Sequence, residues 1–311
     1  MSAIADSTSI GRRGARRPGD RIFQGLATGA GVLILVLLAG VAGFLLIKAW
    51  PAITADGADI PGGEGLAKYI WPLAFGTLVA ATIAIIFAVP MAVCVALFIS
   101  HFAPRRIANF LSYVVDLLAA IPSIIYGLWG IAVLGPASVG TLNWLERHLG
   151  FIPFFQGPAS STGRTMLIAG LVLGVMILPI ITAVTRSVFT QTPRRLQEGA
   201  LALGATRWEM IRMTVLPFGR SAIISGSMLG LGRALGETMA VAILLSVSGG
   251  VTANLIGSGN PSTIAAHIAL DFPESSGLDV NALIAAGLVL FGVTLVINMA
   301  ARAIINREVR Y

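Results

Sequence analysis

Cysteine, histidine and lysine are scarce in this chain, and each scarcity excludes a class of site. Cys94 is the only cysteine among 311 residues, so no intrachain disulfide can form. The three histidines are scattered and, with a single cysteine, provide no metal-ligand spacing. Neither lysine, Lys48 or Lys68, follows a glycine, whereas a Walker A loop requires a Gly-Lys dipeptide. We therefore expect no catalytic residue, metal or nucleotide cofactor in this chain.

Charged residues are also rare, which indicates a membrane protein. Only 11% of the residues are charged and 56% are hydrophobic, whereas about 25% are charged in typical soluble domains. Several apolar runs each reach the ~20 residues that a helix needs to span the hydrocarbon core. The six runs are Leu26–Ile47, Leu73–Ser100, Ile107–Leu134, Met166–Val188, Ser221–Val247 and Val280–Ala303. The sequence thus predicts an all-α polytopic protein with six transmembrane helices in a lipid bilayer.

Basic residues are distributed unequally between the two sides of these predicted spans. Sixteen lie in the termini and in segments on the N-terminal side, and four lie in the opposite loops: Lys48, Lys68, Arg147 and Arg164. Because Arg and Lys accumulate in cytoplasmic segments, both termini are predicted to be cytoplasmic. The same rule accounts for most of the net charge of +7, so no nucleic-acid partner is expected.

The spans suggest a division of the chain into a basic cytoplasmic tail (1–25), a first transmembrane helix with its external loop (26–71), a transmembrane domain (72–306) and a short cytoplasmic tail (307–311). Two segments rich in Gly, Pro, Ser and Asn, Gly135–Thr165 and Ser248–Asp279, are predicted to be external. Within the first, residues 141–150 could form a short interfacial helix. They could equally form a connector that packs on the helical bundle.

The segment Thr190–Arg220 is too polar to span the membrane and is bounded by Pro193 and Pro217. Apolar and small residues recur at helical spacing before Gly204 and again after Trp208. This pattern predicts two short amphipathic helices, separated by a turn at Gly204, on the cytoplasmic side.

Part of this segment keeps the spacing of a motif found in bacterial ABC importer permeases: E-A-A, three residues, G, nine residues, I, one residue, L-P. The five matching positions are Glu198, Ala200, Gly204, Leu216 and Pro217. Gly199 replaces the second residue of the motif, and Thr214 stands where the family has an aliphatic residue. The segment, about residues 190–220, therefore resembles the coupling helix by which these permeases dock into their ATPase subunits.

Two further stretches extend the resemblance to one branch of that family. The sequences AAIPSIIYGLWG at Ala119–Gly130 and LPFGRSAIISGSMLGLGRALGETMAV at Leu216–Val241 are similar to PstC-type permeases of phosphate ABC importers. The resemblance implies a type I ABC importer permease in the bacterial inner membrane. It also implies three partners: a sister permease of PstA type, two copies of a PstB-type ATPase that bind ATP and Mg, and a phosphate-binding protein of PstS type.

Arg233 and Glu237 are four residues apart within the apolar run Ser221–Val247, and a charge at the centre of a spanning helix costs about 2.5–3.5 kcal/mol. On one helix the two side chains would lie on the same face. One interpretation places Arg233 in the translocation path, where its guanidinium binds a tetrahedral oxyanion and Glu237 weakens the attraction. The other is a closed salt bridge that locks two helices together.

Asp116 is the other acidic residue at depth in a predicted span, and it is a weaker candidate for the path. It could pair with Arg233 across helices or lie near the cytoplasmic interface. Small-residue spacing predicts close helix packing at three glycine pairs. The pairs are Gly170 with Gly174, Gly226 with Gly230, and Gly232 with Gly236.

Other functions remain open on the residues alone. The charged pair would suit another oxyanion, such as sulfate or molybdate, as well as phosphate. An ion-coupled secondary carrier could use Arg233, Glu237 and Asp116 as a proton relay, although inverted repeats, which are common in such carriers, are not evident. A purely regulatory membrane protein that reports phosphate status through the ATPase is a third possibility.

Overall fold

The computed structural model describes residues 18–248 and 250–308, and this part of the chain is almost entirely helical. The predicted tails therefore lie largely outside the described residues. The helices are α1 (Pro18–Thr54), α2 (Leu66–Leu97), α3 (Arg105–Ala119), α4 (Ser123–Trp129), α5 (Gly135–Leu149), α6 (Met166–Phe189), α7 (Arg194–Ala202), α8 (Arg207–Met210), α9 (Leu216–Leu235), α10 (Met239–Leu244), α11 (Ile264–Asp271) and α12 (Leu278–Glu308).

The chain separates into two compact units, residues 1–47 and residues 48–311. The described part of the first unit belongs to α1, whose apolar stretch Ile22–Thr54 is long enough to cross a membrane. The second unit contains all the other helices and the hydrophobic cores.

Helix α6 lies at the centre of the second unit and packs between α2 and α9. On α2, Ala80, Ala84 and Ala88 repeat every four residues and are buried, which gives a flat face for close approach. A Cβ atom on Gly170 of α6 would stand 2.6 Å from the Ile83 side chain, and one on Gly174 would stand 2.8 Å from Phe87. The predicted tight packing at this glycine pair is confirmed.

The glycines of α9 behave differently from one another. Added Cβ atoms on Gly226 and Gly230 would meet α6 at 3.3 Å and 3.0 Å, so this predicted pair also marks a helix contact. The pair Gly232 and Gly236 makes no such helix contact within the described residues. A Cβ on Gly232 would have no neighbour within 4 Å, and one on Gly236 would meet only the carbonyl of Gly232 at 3.7 Å.

The predicted span Ile107–Leu134 is wrong, because the helix ends in the middle of it. Helix α3 stops at Ala119, since Pro122 disfavours helical backbone at Ile121. Helix α4 then continues through a π-helical turn (Gly130–Leu134) into α5, and Ser123–Leu149 is long and apolar enough to span a membrane. Residues 135–149, predicted as the start of an external segment, therefore extend this span.

The predicted span Ser221–Val247 is also wrong as a single helix. The chain runs helically from Arg207 through α8, a π-helical turn (Ile211–Val215) and α9, and then breaks at residues 236–238 before α10. Within the described residues, five helices have the length and composition of membrane spans: Ile22–Thr54, Leu66–Phe102, Ser123–Leu149, Met166–Phe189 and Leu278–Ile304. The stretch predicted as a further span is divided between α9 and α10.

Candidate functional site

Two helix breaks, one after α3 and one after α9, lie side by side. A hydrogen bond from Arg233 links them. Arg233 occupies the last turn of α9, and its Nη1 donates to the carbonyl of Ala119, the last residue of α3, at 3.4 Å. Beside it, a Cβ on Gly127 of α4 would stand only 2.7 Å from the Cα of Ala240 on α10. We call these residues, Ala119, Gly127, Arg233 and Ala240, together with Glu237 in the break after α9, the helix-break site.

The charge of Arg233 is balanced by helix ends and not by a carboxylate. Its hydrogen bond to Ala119 is long for an N–H donor. Among the described residues, no carboxylate oxygen lies within 4.0 Å of the Arg233 guanidinium. The C-terminal ends of α9 and α3 carry partial negative charge from their free carbonyl groups, which stabilises a cation there. The half-buried guanidinium thus retains donors for a ligand.

Glu237 lies in the break between α9 and α10 and caps α10. Its side chain is 7% exposed, and Oε1 accepts the backbone N–H of Ala240 at 3.1 Å. The predicted alignment of Arg233 and Glu237 on one helix is wrong, because α9 ends at Leu235. A closed salt bridge between the two side chains does not form in the described structure either.

Asp116 pairs with Arg186 and not with Arg233. The Asp116 Oδ1 lies 3.4 Å from Nη2 of Arg186, and the Asp116 side chain is 54% exposed. Arg186 is in the last turn of α6, immediately before the segment that contains α7 and α8. Asp116 therefore lies at the end of the bundle nearest α7 and α8, as the interfacial alternative requires.

Tyr126 adjoins the helix-break site, and the sequence did not assign it. Its hydroxyl donates to the carbonyl of Leu118 at 2.9 Å, across the break that Pro122 imposes. An aromatic hydroxyl four residues after a helix-breaking proline, one turn of helix away, was the available signal.

Arg164 and Asn260 hold the opposite end of α10, and neither role could be read from the sequence. Arg164 donates through Nη2 to the carbonyls of Ile243 and Leu245, at 3.2 Å and 3.0 Å. The fully buried Asn260 accepts the N–H of Met166 at 3.0 Å and donates to the carbonyl of Arg164 at 3.2 Å. The hydrogen-bonded partners lie about eighty or more residues apart in the chain, so local sequence patterns do not predict these contacts.

The predicted turn at Gly204 between two helices is confirmed, although the second helix, α8, continues through the π-helical turn into α9. Helix α7 ends before Gly204, whose φ of +88° favours glycine, and Thr206 and Glu209 form a capping box at α8. The hydrogen bonds from Thr206 lower the pKa of Glu209. Ala200 is buried against a cluster that includes Met210, so the two helices are anchored to the bundle.

The outer side of these two helices exposes both apolar and charged groups. Leu203 is 90% exposed, Met213 is 65% exposed and Trp208 is 57% exposed. Glu198, Gly199 and Gly204 are also exposed, while Leu216 is half-buried and Pro217 lies in the first turn of α9. The surrounding arginines are Arg194, Arg195, Arg207 and Arg212. We call this face the coupling surface, and large exposed apolar side chains with a charged rim are typical of protein interfaces.

A family model described as "Binding-protein-dependent transport system inner membrane component" matches residues 88–311. The chain belongs to this family. The match covers the helix-break site and the coupling surface, and it makes the chain a multi-pass membrane permease of the binding-protein-dependent family.

The relatives within this family include several PstC permeases. The chain is 45% identical to the phosphate transport system permease protein PstC 2 of Mycobacterium tuberculosis, over 97% of this chain and 96% of that protein. It is 44% identical to PstC of Mycobacterium leprae, over 92% of each chain, and 38% identical to PstC of Mesorhizobium japonicum, over 93% and 90%. The predicted resemblance to PstC-type permeases is confirmed.

Solved structures show the same fold. A bacterial alginate ABC transporter, in complex with an alginate-pentasaccharide-bound periplasmic protein, matches with a TM-score of 0.63 and 19% identity, over 93% of this chain and 95% of that one. The MetNI methionine ABC transporter matches with a TM-score of 0.51 and 17% identity, over 78% and 95%. The predicted type I ABC importer permease fold is confirmed.

Proposed function

We propose that this permease is one of two membrane subunits of an ATP-driven importer of inorganic phosphate, and that it forms half of the translocation path. The observation that carries the proposal is its 45% identity, over 97% of the chain, to a permease named for phosphate transport. The helix-break site supplies matching chemistry, because it holds an arginine without a carboxylate partner in the described structure.

Arg233 is the proposed phosphate contact. A guanidinium is permanently charged and presents its donors in a planar fork, which suits two oxygens of a tetrahedral oxyanion. Glu237 contributes a nearby negative charge that is fixed by its hydrogen bond to Ala240. A transport site must bind its ion without trapping it, so this second charge keeps the affinity moderate. Asp116, which is paired with Arg186, is the weaker path candidate.

The coupling surface is the proposed docking site for the ATPase. Two copies of a PstB-type ATPase would bind ATP and Mg, and one would receive α7 and α8, with Glu198 and the arginines setting the register by charge complementarity. Closure of the ATPases would then tilt the helices of this chain and of its PstA-type sister. A PstS-type protein would deliver phosphate on the other side, and both termini would be cytoplasmic.

A second candidate is the same machinery with another oxyanion as substrate. Sulfate and molybdate are also tetrahedral, and the contacts of Arg233 alone do not discriminate among them. An ion-coupled carrier is less well supported, because it leaves the coupling surface without a role.

Phosphate uptake by the complete complex in proteoliposomes tests both assignments. With ATP inside and the binding protein outside, Arg233→Gln should assemble normally and lower uptake by at least tenfold. Arg233→Lys retains the charge but loses the fork, so its uptake should lie between that of Arg233→Gln and wild type. Undiminished uptake with Arg233→Gln would contradict the path assignment.

The coupling assignment needs a separate readout. Glu198→Ala should weaken co-purification of the ATPase while leaving the permease folded, and Arg106→Gln, an exposed change on α3, serves as the control. Normal ATPase binding in Glu198→Ala would remove the role of Glu198. Adding sulfate or molybdate as competitors decides between the candidate substrates.

A further inference from the structure

A cavity of about 550 Å³ lies beside the C-terminal end of α10, away from Arg233. Three apolar residues, Ile131, Pro136 and Val139, form one wall. The polar wall is formed by Arg164 with the neighbouring Ser161 and Thr162, and no carboxylate is among the lining residues in the described structure. Since a water molecule occupies about 30 Å³, the cavity has room for an oxyanion with part of its hydration shell.

The guanidinium of Arg164 is only partly used by the protein. An arginine has five N–H donors. Nε and Nη2 donate to the carbonyls of Ile243, Leu244 and Leu245. The Nη1 group has no hydrogen bond within the described residues, and no carboxylate oxygen there lies within 4.0 Å. One edge of the fork is therefore fixed, while two donors and the charge remain available.

The position of the cavity indicates that the unpaired charge of Arg164 has a function. Its apolar wall belongs to the membrane-long stretch Ser123–Leu149, so the cavity lies beside a span and not on a remote loop. Charges beside membrane spans usually serve a path or a binding site. Arg164 holds the C-terminal end of α10, and Arg233 lies just before its N-terminal end. The six residues of α10 correspond to about 9 Å of helix.

We propose that Arg164, Ser161 and Thr162 form an outer oxyanion site, which holds inorganic phosphate before it reaches Arg233. This inference rests on the proposed function as a phosphate importer. Two moderate sites in series allow an ion to enter and leave each in turn. The competing role for Arg164 is that of a helix cap alone, and this role involves neither the Ser161 nor the Thr162 hydroxyl.

Protection of an introduced cysteine measures occupancy of the cavity without requiring transport. In a Cys94→Ser background, Val139→Cys places a thiol in the cavity wall. The complete complex, in phosphatidylcholine nanodiscs, is treated with an anionic methanethiosulfonate reagent, and labelling of this chain is followed by mass spectrometry. Saturating inorganic phosphate should slow labelling at least fivefold. In Arg164→Gln the protection should disappear, whereas in Arg147→Gln, an exposed arginine on α5, it should persist.

Thr162→Val provides an independent test, because it removes a hydroxyl and leaves the cap of α10 intact. We expect it to reduce the protection and to raise the KM for phosphate uptake several-fold, with a normal yield of assembled complex. An unchanged KM together with full protection would overturn the proposal. This variant also decides the question if Arg164→Gln fails to assemble.

Two further comparisons complete the experiment. One distinguishes free phosphate from a lipid headgroup as the ligand, and the other distinguishes failure of the outer site from failure of the proposed function. Protection by added phosphatidylglycerol, but not by inorganic phosphate, would overturn the proposal in favour of a lipid site. A wild-type complex that does not import phosphate contradicts the proposed function. A wild-type complex that imports phosphate while the cysteine gains no protection contradicts the outer site alone.

Discussion

At the scale of single residues, the two charges of the helix-break site are stabilised by helix ends and not by each other. Arg233 lies where α9 ends and contacts the last carbonyl of α3. Glu237 lies where α10 begins and accepts one of its free N–H groups. Each charge has the sign that the adjacent helix end favours. This arrangement leaves the arginine unneutralised by direct contact, as an anion site requires.

The cap formed by Glu237 can be tested separately from its charge. Glu237→Ala removes the acceptor for the Ala240 N–H, and loss of an N-terminal cap costs about 1 kcal/mol of stability. Glu237→Gln keeps an oxygen acceptor and removes only the charge, so its thermal midpoint should stay nearer to that of wild type. The measurement is thermal unfolding of the purified complex in detergent. Equal midpoints for the two variants would show that the cap has no energetic role.

The sequence identified the charged residues of this site but not their geometry. Arg233 and Glu237 are conspicuous because their surroundings are apolar, and that signal is local. The hydrogen bond from Arg233 to Ala119 joins residues 114 positions apart, and that from Arg164 to Leu245 joins residues 81 positions apart. Such contacts depend on how helices pack, which hydrophobic periodicity does not encode.

At the scale of helices, the helix-break site lies at interruptions that a continuous apolar sequence does not predict. The run Ser221–Val247 has no proline, yet the helix ends after Leu235, and Gly236, Glu237 and Thr238 leave the helical path before α10. The run Ile107–Leu134 did carry a signal, Pro122, and α3 ends three residues before it. The span Met166–Val188, which has no such break, was predicted to within one residue of α6, whereas Leu73–Ser100 begins seven residues inside α2.

Close approach of α4 and α10 is expected to position the helix-break site. Gly127→Ala would place a Cβ 2.7 Å from the Cα of Ala240, a backbone atom that cannot rotate away. Overpacking of this kind costs about 1–3 kcal/mol, and the resulting shift of α10 should also lower phosphate uptake. Gly140→Ala on α5 is the matched control, because its Cβ would have no neighbour within 4 Å and alanine favours helix. Similar midpoints and uptake in the two variants would contradict the positioning role.

A partly buried hydrogen bond between α2 and α11 should make the stability of the complex depend on pH. The Tyr69 hydroxyl lies 2.8 Å from Nε2 of His267, whose Nδ1 lies 3.1 Å from Asp271. Burial lowers the pKa of His267, and the charge of Asp271 opposes this shift only in part. Glu64 and Lys68 are the other charged residues that line the cavity beside Tyr69 and His267.

Because the folded state lowers the pKa of His267, its contribution to stability is present above the ordinary histidine pKa of about 6.5. It should be lost as the pH falls through the lower pKa of the folded state. We expect the thermal midpoint of the complex to fall as the pH decreases below about 6.5, and His267→Gln to reduce this dependence. Parallel pH profiles for wild type and variant would assign the effect to other groups.

At the scale of the whole molecule, the helix-break site and the coupling surface are connected by continuous helix. The chain runs from the capping box at Thr206 through a π-helical turn and α9 to Arg233 without leaving helical backbone. A displacement of α8 is therefore transmitted along α9, which packs on the central helix α6. Motion imposed on the coupling surface can thus reach the proposed phosphate contact through one rigid element.

The coupling surface should bind the ATPase mainly through its exposed apolar side chains. Leu203 is 90% exposed at the turn between α7 and α8, and Trp208 is 57% exposed on α8. Aromatic side chains often dominate binding energy, so Trp208→Ala should weaken ATPase association by tenfold or more, and Leu203→Ser by a smaller factor. Both side chains are more exposed than buried, so the thermal midpoint of the isolated permease should change little. Phe151→Ser, an 80% exposed position away from α7 and α8, controls for loss of surface hydrophobicity. Binding constants from titration of the ATPase onto immobilised permease decide the matter, and equal constants for Trp208→Ala and Phe151→Ser would exclude this surface as the docking site.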